Sequence, residues 1–304
     1  MSGPLASLKV LDFSTLLPGP FATLLLADMG AEVLRVESPT RPDMVRLLPP
    51  SEDNVSAVHG YINRSKRSLA LDLKTPEGRE VVHRLVKDYD IVVEQFRPGV
   101  MDKLGVGYET LKAINPGLIY CSITGYGQDG PYRDRAGHDL NYLSIAGMTS
   151  YNGRRDSGPA PMAFQVADVA GGSCHAVMGL LAAVIHRQNT GEGQQLDISM
   201  TDAAFSLHGL AAPPALVAGE DPALEATTLN GGSFYDCYRT RDGRYLSVAG
   251  LEPQFFSQFC AALGQPDLAA KGLSRDPADV AEVKAIIAEA IGAQDYDHWC
   301  RLFA

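Results

Sequence analysis

One histidine and its neighbours have the residue types and setting needed to move a proton. His138 lies in the sequence RAGHD, inside a stretch from residue 124 to residue 164 in which helical and strand periodicity disappears. Imidazole titrates near neutral pH, so a histidine in a glycine-flanked loop suits a general base, although a lone histidine is more often structural. We expect Asp139 to cap or turn the backbone. A structureless stretch of this length in a compact domain is usually functional.

Asp168 is the second candidate, at the start of an apolar segment with helical spacing that extends to Arg187. A helix N-cap would by itself explain an aspartate there. Gly171 and Gly172 follow it and cost helix stability, for which close approach of a ligand would be a reason. Because free amides at a helix N-terminus can stabilise an oxyanion, both glycines are oxyanion candidates.

A third carboxylate, Glu252, lies in the sequence GLEPQF. An acidic residue directly before Pro253 is typical of the start of a helix, where the helix dipole favours negative charge. A catalytic carboxylate would have the same spacing, so both interpretations stay open.

Positive charge is concentrated in one part of an acidic chain. The 304 residues have a net charge of −10, which disfavours non-specific nucleic-acid binding. Residues 61–75 nevertheless contain four cations and one anion, and Arg97 and Lys103 follow the next predicted strand. These side chains suit the phosphates of a nucleotide-like ligand, whereas a solvated surface is the alternative.

Other classes of site find little support in the sequence. The five cysteines form no CxxC pair and the seven histidines no i, i+4 pair, so we expect neither a disulfide framework nor a metal site. No apolar run reaches the ~18 residues of a membrane span. No signal peptide is visible, and we expect a cytoplasmic protein. Gly125, Gly127 and Gly130 match a dinucleotide fingerprint, but Pro131 follows, so we favour a Gly-rich active-site loop.

Strand and helix patterns alternate over the first two thirds of the chain. Strand patterns occupy residues 8–13, 32–36, 68–73, 91–93, 118–123 and 195–200, and helix patterns occupy 21–29, a segment starting at Thr75-Pro76, 168–187 and 201–217. This alternation predicts a parallel sheet with helices on both faces. A hairpin around Asp242-Gly243 and three helices follow. We predict an α/β fold, with a Rossmann-like parallel-sheet large domain over 1–198, a linker helix and loop over 199–229, and a smaller α+β domain over 230–304.

Six motifs are spread over the chain: LPGPFATLLLADMGAEVLRVE (17–37), RSLALDLKTPEG (67–78), EQFRPGVMDKLGVGYE (94–109), TGYGQDGPYRDRAGHDLNYL (124–143), ADVAGGS (167–173) and GLEPQFF (250–256). Together they resemble the family III CoA-transferase and α-methylacyl-CoA racemase superfamily, also described as CaiB/BaiF-like. The resemblance extends over essentially the whole chain and implies an enzyme that acts on acyl-CoA esters.

The resemblance implies two alternative activities. In the racemase branch a histidine and an aspartate act as paired acid and base on opposite faces of the substrate. His138 and Asp168 match them, and Glu252 is placed to orient His138. In the transferase branch, Asp168 would be a nucleophile that takes the acyl group and then CoA, under a Gly-rich loop near residue 250. This loop is Leu-Glu-Pro-Gln-Phe here, so we favour a racemase of 2-methylacyl-CoA esters.

Three rival functions stay open. After the racemase, the second hypothesis is a CoA transferase and the third is a CoA-ester-binding protein without turnover. A Rossmann dehydrogenase is a distant fourth. We expect no metal or redox cofactor, since coenzyme A enters as part of the thioester substrate. The resemblance also implies a homodimer, interlocked in relatives, and a further segment after residue 304.

The resemblance also implies where the CoA ester binds. Segments 71–74, 95–97 and 137–142 contact the ester, and basic side chains take its phosphates. The candidates are Arg35, Lys66, Arg67, Leu71, Asp72, Leu73, Lys74, Gln95, Phe96, Arg97, Lys103, Gly137, Asp139, Leu140, Asn141 and Tyr142. Many relatives carry a basic residue after the acidic residue that ends the second strand, whereas here Ser38 follows Glu37. Arg35 or Arg41 is the expected substitute.

Overall fold

The computed structural model describes residues 3–303, which form two compact units. Unit 1 comprises the residues up to Ala146 together with Ala163–His208, and unit 2 comprises Gly147–Met162 and the residues from Gly209 onward. This division differs from the predicted boundary at residue 198. Segment 147–162 belongs to unit 2, and residues 199–208 stay with unit 1, where Met200–Ser206 packs as a helix.

The strands are short. They are β1 (Lys9–Asp12), β2 (Glu32–Glu37), β3 (Ser51–Glu52), β4 (Val55–Ser56), β5 (Arg67–Ala70), β6 (Ile91–Glu94), β7 (Ile119–Thr124), β8 (Gly153–Arg154), β9 (Gly158–Pro159), β10 (Gln195–Ser199), β11 (Asp236–Arg239) and β12 (Tyr245–Val248).

The helices vary more in length. They are α1 (Pro18–Asp28), α2 (Ala57–Ile62), α3 (Pro76–Leu85), α4 (Val100–Lys103), α5 (Tyr108–Ile114), α6 (Asp139–Ile145), α7 (His175–Thr190), α8 (Met200–Ser206), α9 (Ala212–Ala218), α10 (Pro253–Ala262), α11 (Pro277–Gly292) and α12 (Tyr296–Phe303). A π-helix, Ala167–Cys174, leads directly into α7, and 3-10 turns occupy Met44–Leu47, Met148–Tyr151 and Pro266–Lys271.

Unit 1 is built on a six-stranded parallel sheet in the order β10-β7-β6-β1-β2-β5. The strand order reverses between β1 and β6. Val10 of β1 pairs with Val33 of β2 on one side and with Ile91 of β6 on the other. In doubly wound sheets of this order a crevice forms at the carboxyl ends of the strands on either side of that point. The predicted α/β, Rossmann-like fold is confirmed.

Local sequence explains why several elements form where they do. Thr75 caps α3, since its hydroxyl accepts the N–H of Gly78 at 3.1 Å, and Pro76 occupies the first turn as predicted. All residues of β6 and β7 are buried, which is typical of central strands of a parallel sheet covered on both faces.

Two sequence predictions of secondary structure are wrong. The stretch 124–164 is not structureless, because it contains α6, the 3-10 turn at Met148–Tyr151 and the β8–β9 pair. The predicted helix over 201–217 is two helices, α8 and α9. A proline in the first turn of α9 starts a new helix there and could not continue α8, since proline lacks the N–H an interior turn needs.

Segment Ala167–Thr190 is long and apolar enough, by length and composition, to cross a membrane. It exceeds the apolar run that the sequence pattern indicated. This is weak evidence for a span, because 44% of its most apolar window is buried and it packs against α1, α8 and β7 of unit 1. Core helices of globular proteins pass the same test.

Unit 2 contains the predicted hairpin, in which β11 and β12 pair antiparallel around the turn at Asp242 and Gly243. Gly243 adopts a φ of 83°, which the turn requires. The hairpin packs on α10 and α11 around stacked Phe234 and Phe256 rings, whose centroids are 3.9 Å apart. Trp299 on α12 is buried beside them.

Candidate active site

His138 lies immediately before α6, and its main chain is held on both sides. Its N–H donates to Asn141 Oδ1 at 3.0 Å. The carbonyl of the preceding residue, Gly137, accepts the Tyr142 hydroxyl at 2.5 Å. A Cβ on Gly137 would lie 2.6 Å from the Tyr142 ring, so the turn requires glycine. The imidazole itself is exposed.

Asp168 lies in the first turn of the π-helix and is half-buried. Its N–H donates to Oδ1 of Asp139, the residue after His138, at 3.0 Å. Burial and, second, the negative charge of Asp139 raise the pKa of the Asp168 carboxyl to about 7. A carboxyl group with that pKa populates both protonation states near neutral pH, as an acid–base catalyst must.

The π-helix that carries Asp168 is fastened to its surroundings at two points. The Ser173 hydroxyl lies 2.6 Å from the Pro18 carbonyl oxygen and 3.2 Å from that of Asp168. A ring nitrogen of His175 lies 2.7 Å from the Ala170 carbonyl oxygen. π-Helical segments next to α-helices are frequent at functional sites. The sequence pattern predicts no role for Ser173 or His175, and the double glycine is its one signal of an irregular helix.

Gly171 and Gly172 are both buried, and the structure gives them a packing role. A Cβ on Gly171 would lie 3.1 Å from the Met200 carbonyl oxygen, and one on Gly172 would lie 3.2 Å from Pro18 Cβ. The two glycines therefore let α8 and α1 approach the π-helix. An oxyanion role for their amides stays a prediction.

Glu252 belongs to unit 2, where it is the exposed N-cap residue of α10. Its carbonyl oxygen accepts the N–H groups of Phe255 and Phe256. The helix-start interpretation is therefore confirmed. A role in orienting His138, which lies in unit 1, stays a prediction.

Lys66 is not placed to bind a phosphate, contrary to the prediction. Its side chain is 2% exposed. The ammonium donates to the Pro20 carbonyl and the Thr23 hydroxyl, both at 2.8 Å, and lies 3.4 Å from Asp12. Burial lowers the pKa of Lys66. This lysine stabilises the interior of unit 1, and the sequence could not show this because its partners are distant in sequence.

Arg35 is likewise not available to a ligand, contrary to the prediction. The residue is 1% exposed. Its guanidinium donates to Asp43 and lies 2.9 Å from His59 Nε2. Asp43 also accepts the N–H of Leu16, so this buried pair fixes the segment between β1 and α1. Arg41, the other expected substitute, is exposed.

The candidates that follow β6 lie at the carboxyl end of the sheet, where the crevice is expected. Gln95 Oε1 accepts the N–H of Gly19 at 2.9 Å, which joins this segment to the start of α1. Phe96 is half-buried against the core, and Arg97 is exposed. Within residues 3–303 the Arg97 guanidinium makes no ion pair or hydrogen bond, so it is available to a ligand.

The remaining CoA candidates stay predictions. Lys74, Lys103, Leu140 and Asn141 are exposed, and Leu71 and Leu73 pack against the core. Arg67 is exposed and pairs with Glu32, and Asp72 accepts the N–H of Lys74 at 3.0 Å.

The glycines at 125, 127 and 130 do not form a dinucleotide site. That fingerprint opens a helix directly after a strand. After β7, the next helix in the described chain is α6, which begins at Asp139. Gly127 instead lies beside Asp197 and Ser199 of β10.

Comparison with known proteins decides the family. The sequence profile of CoA-transferase family III matches residues 5–304. The chain belongs to this family. It is 37% identical over 302 residues to the human alpha-methylacyl-CoA racemase, a match that covers 98% of this chain and 75% of that protein. It is 38% identical over 268 residues to the succinate–glutarate CoA-transferase of Agrobacterium fabrum, covering 86% and 66%.

Solved structures agree with the family assignment. A CAIB/BAIF family protein from Brucella suis superposes with a TM-score of 0.86 at 33% identity, over 100% of this chain and 82% of that one. Because racemases and transferases match at similar identity, the comparisons show a family III enzyme without deciding between the two reactions.

Proposed function

We propose that this family III enzyme is a racemase of 2-methylacyl-CoA thioesters that works by 1,1-proton transfer. One observation carries the proposal. Asp168, with a pKa raised to about 7, is joined by a single hydrogen bond to the residue after His138. The imidazole and the carboxyl group, two side chains able to carry a proton, thus stand on main-chain segments that are directly hydrogen-bonded.

The chemistry needs such a pair. Inversion begins when a base takes the proton from the carbon next to the thioester carbonyl. The electrons of that C–H bond move into an enolate. The protonated partner then delivers a proton to the opposite face, and the carbonyl re-forms. One group cannot reach both faces, so His138 and Asp168 alternate as base and acid in the two directions.

A CoA transferase is the second candidate. It is favoured by the identity to the Agrobacterium fabrum enzyme and by Asp168, since a carboxylate can attack a thioester. The segment around Glu252 favours the racemase, because it lacks the Gly run that resemblance associates with transferases. A CoA-ester binder without turnover is the third candidate.

Deuterium exchange tests the proposal. The protein is incubated in D2O with one enantiomer of a 2-methylacyl-CoA and no acceptor acid. We expect deuterium at the α-carbon together with loss of optical activity. His138→Ala should abolish exchange, whereas His186→Ala, at an exposed histidine of α7, should not. A stable adduct on Asp168 without exchange would establish the transferase, and neither signal would indicate a binder.

Three further expectations belong to this proposal. We propose that turnover needs no metal or redox cofactor, that the protein is a homodimer and that it is cytoplasmic. Dialysis against EDTA should leave the exchange rate unchanged.

A further inference from the structure

Asp139 connects the two main-chain segments that carry the proposed acid–base pair. It is the first residue of α6, directly after His138, and its Oδ1 accepts the Asp168 N–H at 3.0 Å. The Asp139 side chain therefore contacts the peptide group of Asp168, while the Asp139 main chain follows His138 directly.

Further hydrogen bonds hold the main chain at both ends of this connection. On the α6 side, the Asn141 and Tyr142 side chains hold residues 137 and 138. On the other side, Ser173 and His175 hold the π-helix. Within the described residues one hydrogen bond links α6 directly to the π-helix, and it is the one that Asp139 accepts.

We propose that Asp139 is a positioning residue, whose carboxylate fastens the Asp168 peptide to the start of α6 and so fixes the spacing of the two proton-carrying side chains. The inference rests on the proposed function. It is distinct from the contact with the CoA ester that the family resemblance implies for residue 139.

The carboxylate also acts through its charge. It lies in the first turn of α6, where the helix dipole favours a negative charge. Elements α1, α6, α7, α8, β7 and β10 pack against the π-helix. From these, Asp139 is the charged group that raises the pKa of Asp168, and Tyr142 on the same helix has its own pKa raised to about 12 by burial. Removing the Asp139 charge should therefore lower the pKa of Asp168.

Two substitutions separate the hydrogen bond from the charge. Asp139→Asn keeps an oxygen that accepts the Asp168 N–H but removes the charge, whereas Asp139→Ala removes both. We expect Asp139→Ala to slow α-carbon exchange about 100-fold, the cost of ~1 Å of misplacement. Asp139→Asn should lose clearly less. Its pH–rate midpoint for Asp168 should move to lower pH, because a neighbouring like charge is gone.

The control is Asp134→Asn, which removes an exposed carboxylate, 82% accessible, from the same loop. It should change neither rate nor midpoint. Equal losses in Asp139→Ala and Asp139→Asn, or a wild-type rate in Asp139→Ala with an intact fold by circular dichroism, would overturn the positioning role.

A measurement without turnover distinguishes failure of this inference from failure of the proposed function. The Asp168 carboxyl is titrated by carbon-13 NMR, with its resonance assigned by its loss in Asp168→Asn. A lower titration midpoint of Asp168 in Asp139→Asn supports the inference even if the wild-type protein forms an Asp168 adduct and exchanges no deuterium. In that case the rate of adduct formation replaces the rate of α-carbon exchange in the comparison of variants. An unmoved midpoint contradicts it whichever reaction occurs.

Discussion

Asp12 and Asp168 are two carboxylates of unit 1 with opposite surroundings. Asp12 ends β1 and is fully buried. It accepts the Ser14 N–H at 2.9 Å and the Thr23 hydroxyl at 2.5 Å, and Lys66 Nζ lies 3.4 Å away. Asp168 is half-buried, and within residues 3–303 no hydrogen bond reaches its carboxyl oxygens, while Asp139 adds a like charge.

The difference separates a structural carboxylate from a chemical one. A carboxylate whose lone pairs are occupied by donors has no site for a new proton and stabilises the fold. A carboxyl group that is desolvated and lacks donors binds a proton at neutral pH, and such groups cluster where reactions occur. Burial alone does not distinguish the two, whereas the number of donors does.

The largest expected effect is on the chemical side of this contrast. Asp168→Asn should lower α-carbon exchange by about 10²–10⁴-fold, the usual contribution of a general acid or base. Its thermal stability should be preserved, because the change removes a carboxylate that burial disfavours. Exchange and melting temperature are measured on the same preparations. Wild-type exchange in Asp168→Asn would remove the distinction between the two aspartates.

For Asp12, the structural carboxylate, we expect the main effect on stability. Asp12→Ala should lower the free energy of unfolding by about 3–5 kcal/mol, because it leaves the buried Lys66 ammonium without its anion. Urea denaturation measures the loss. The matched control is Asp28→Ala, which breaks a pair between Asp28 and Arg64, both well exposed, and should cost only about 0–1 kcal/mol. If the two variants lose equal stability, burial of the pair between Asp12 and Lys66 makes no difference to its contribution to folding.

The sequence predicts the parts of this molecule that depend on local patterns. The Thr75-Pro76 helix start and the Asp242-Gly243 turn are confirmed, since capping and turn chemistry act within a few residues. The sequence predicts phosphate contacts for Lys66 and Arg35, because the residue type alone does not show whether a basic side chain is solvated or buried. Their true partners, Asp12 and Asp43, are placed by tertiary structure.

The candidate site shows the same limit. His138 and Asp168 could be chosen from motifs, but the Asp139 hydrogen bond that joins them spans 29 residues of sequence. The π-helix was also missed, because it is set by packing of Gly171 and Gly172 against α8 and α1.

A raised carboxyl pKa also makes the free energy of unfolding depend on pH. Burial raises the pKa of both Asp168 and Glu94 to about 7. Between their ordinary values near 4 and this value, the folded state binds more protons than the unfolded state, so stability falls as pH rises. Each group contributes at most about 1.4 kcal/mol per pH unit. Asp168→Asn and Glu94→Gln should each remove part of the slope, but only Asp168→Asn should also slow α-carbon exchange. The slope is measured by urea denaturation from about pH 4 to pH 7, and an unchanged slope in both variants would contradict the raised pKa values.

Basic residues, like carboxylates, divide into buried residues that stabilise the fold and exposed residues that are available to a ligand. The exposed Arg97 gives the smallest of the expected effects. Arg97 is exposed and unpaired within the described chain, so Arg97→Gln should change the free energy of unfolding by less than about 0.5 kcal/mol. Loss of one charge-assisted contact to a CoA phosphate should raise KM about tenfold. An N-acetylcysteamine thioester of the same acid lacks these phosphates, so its KM should not change. An equal rise in KM for both substrates would mean that Arg97 acts on the acyl end or on the fold. The phosphates would then have to be bound by Lys74 or Lys103. The same pair of thioesters tests these two lysines.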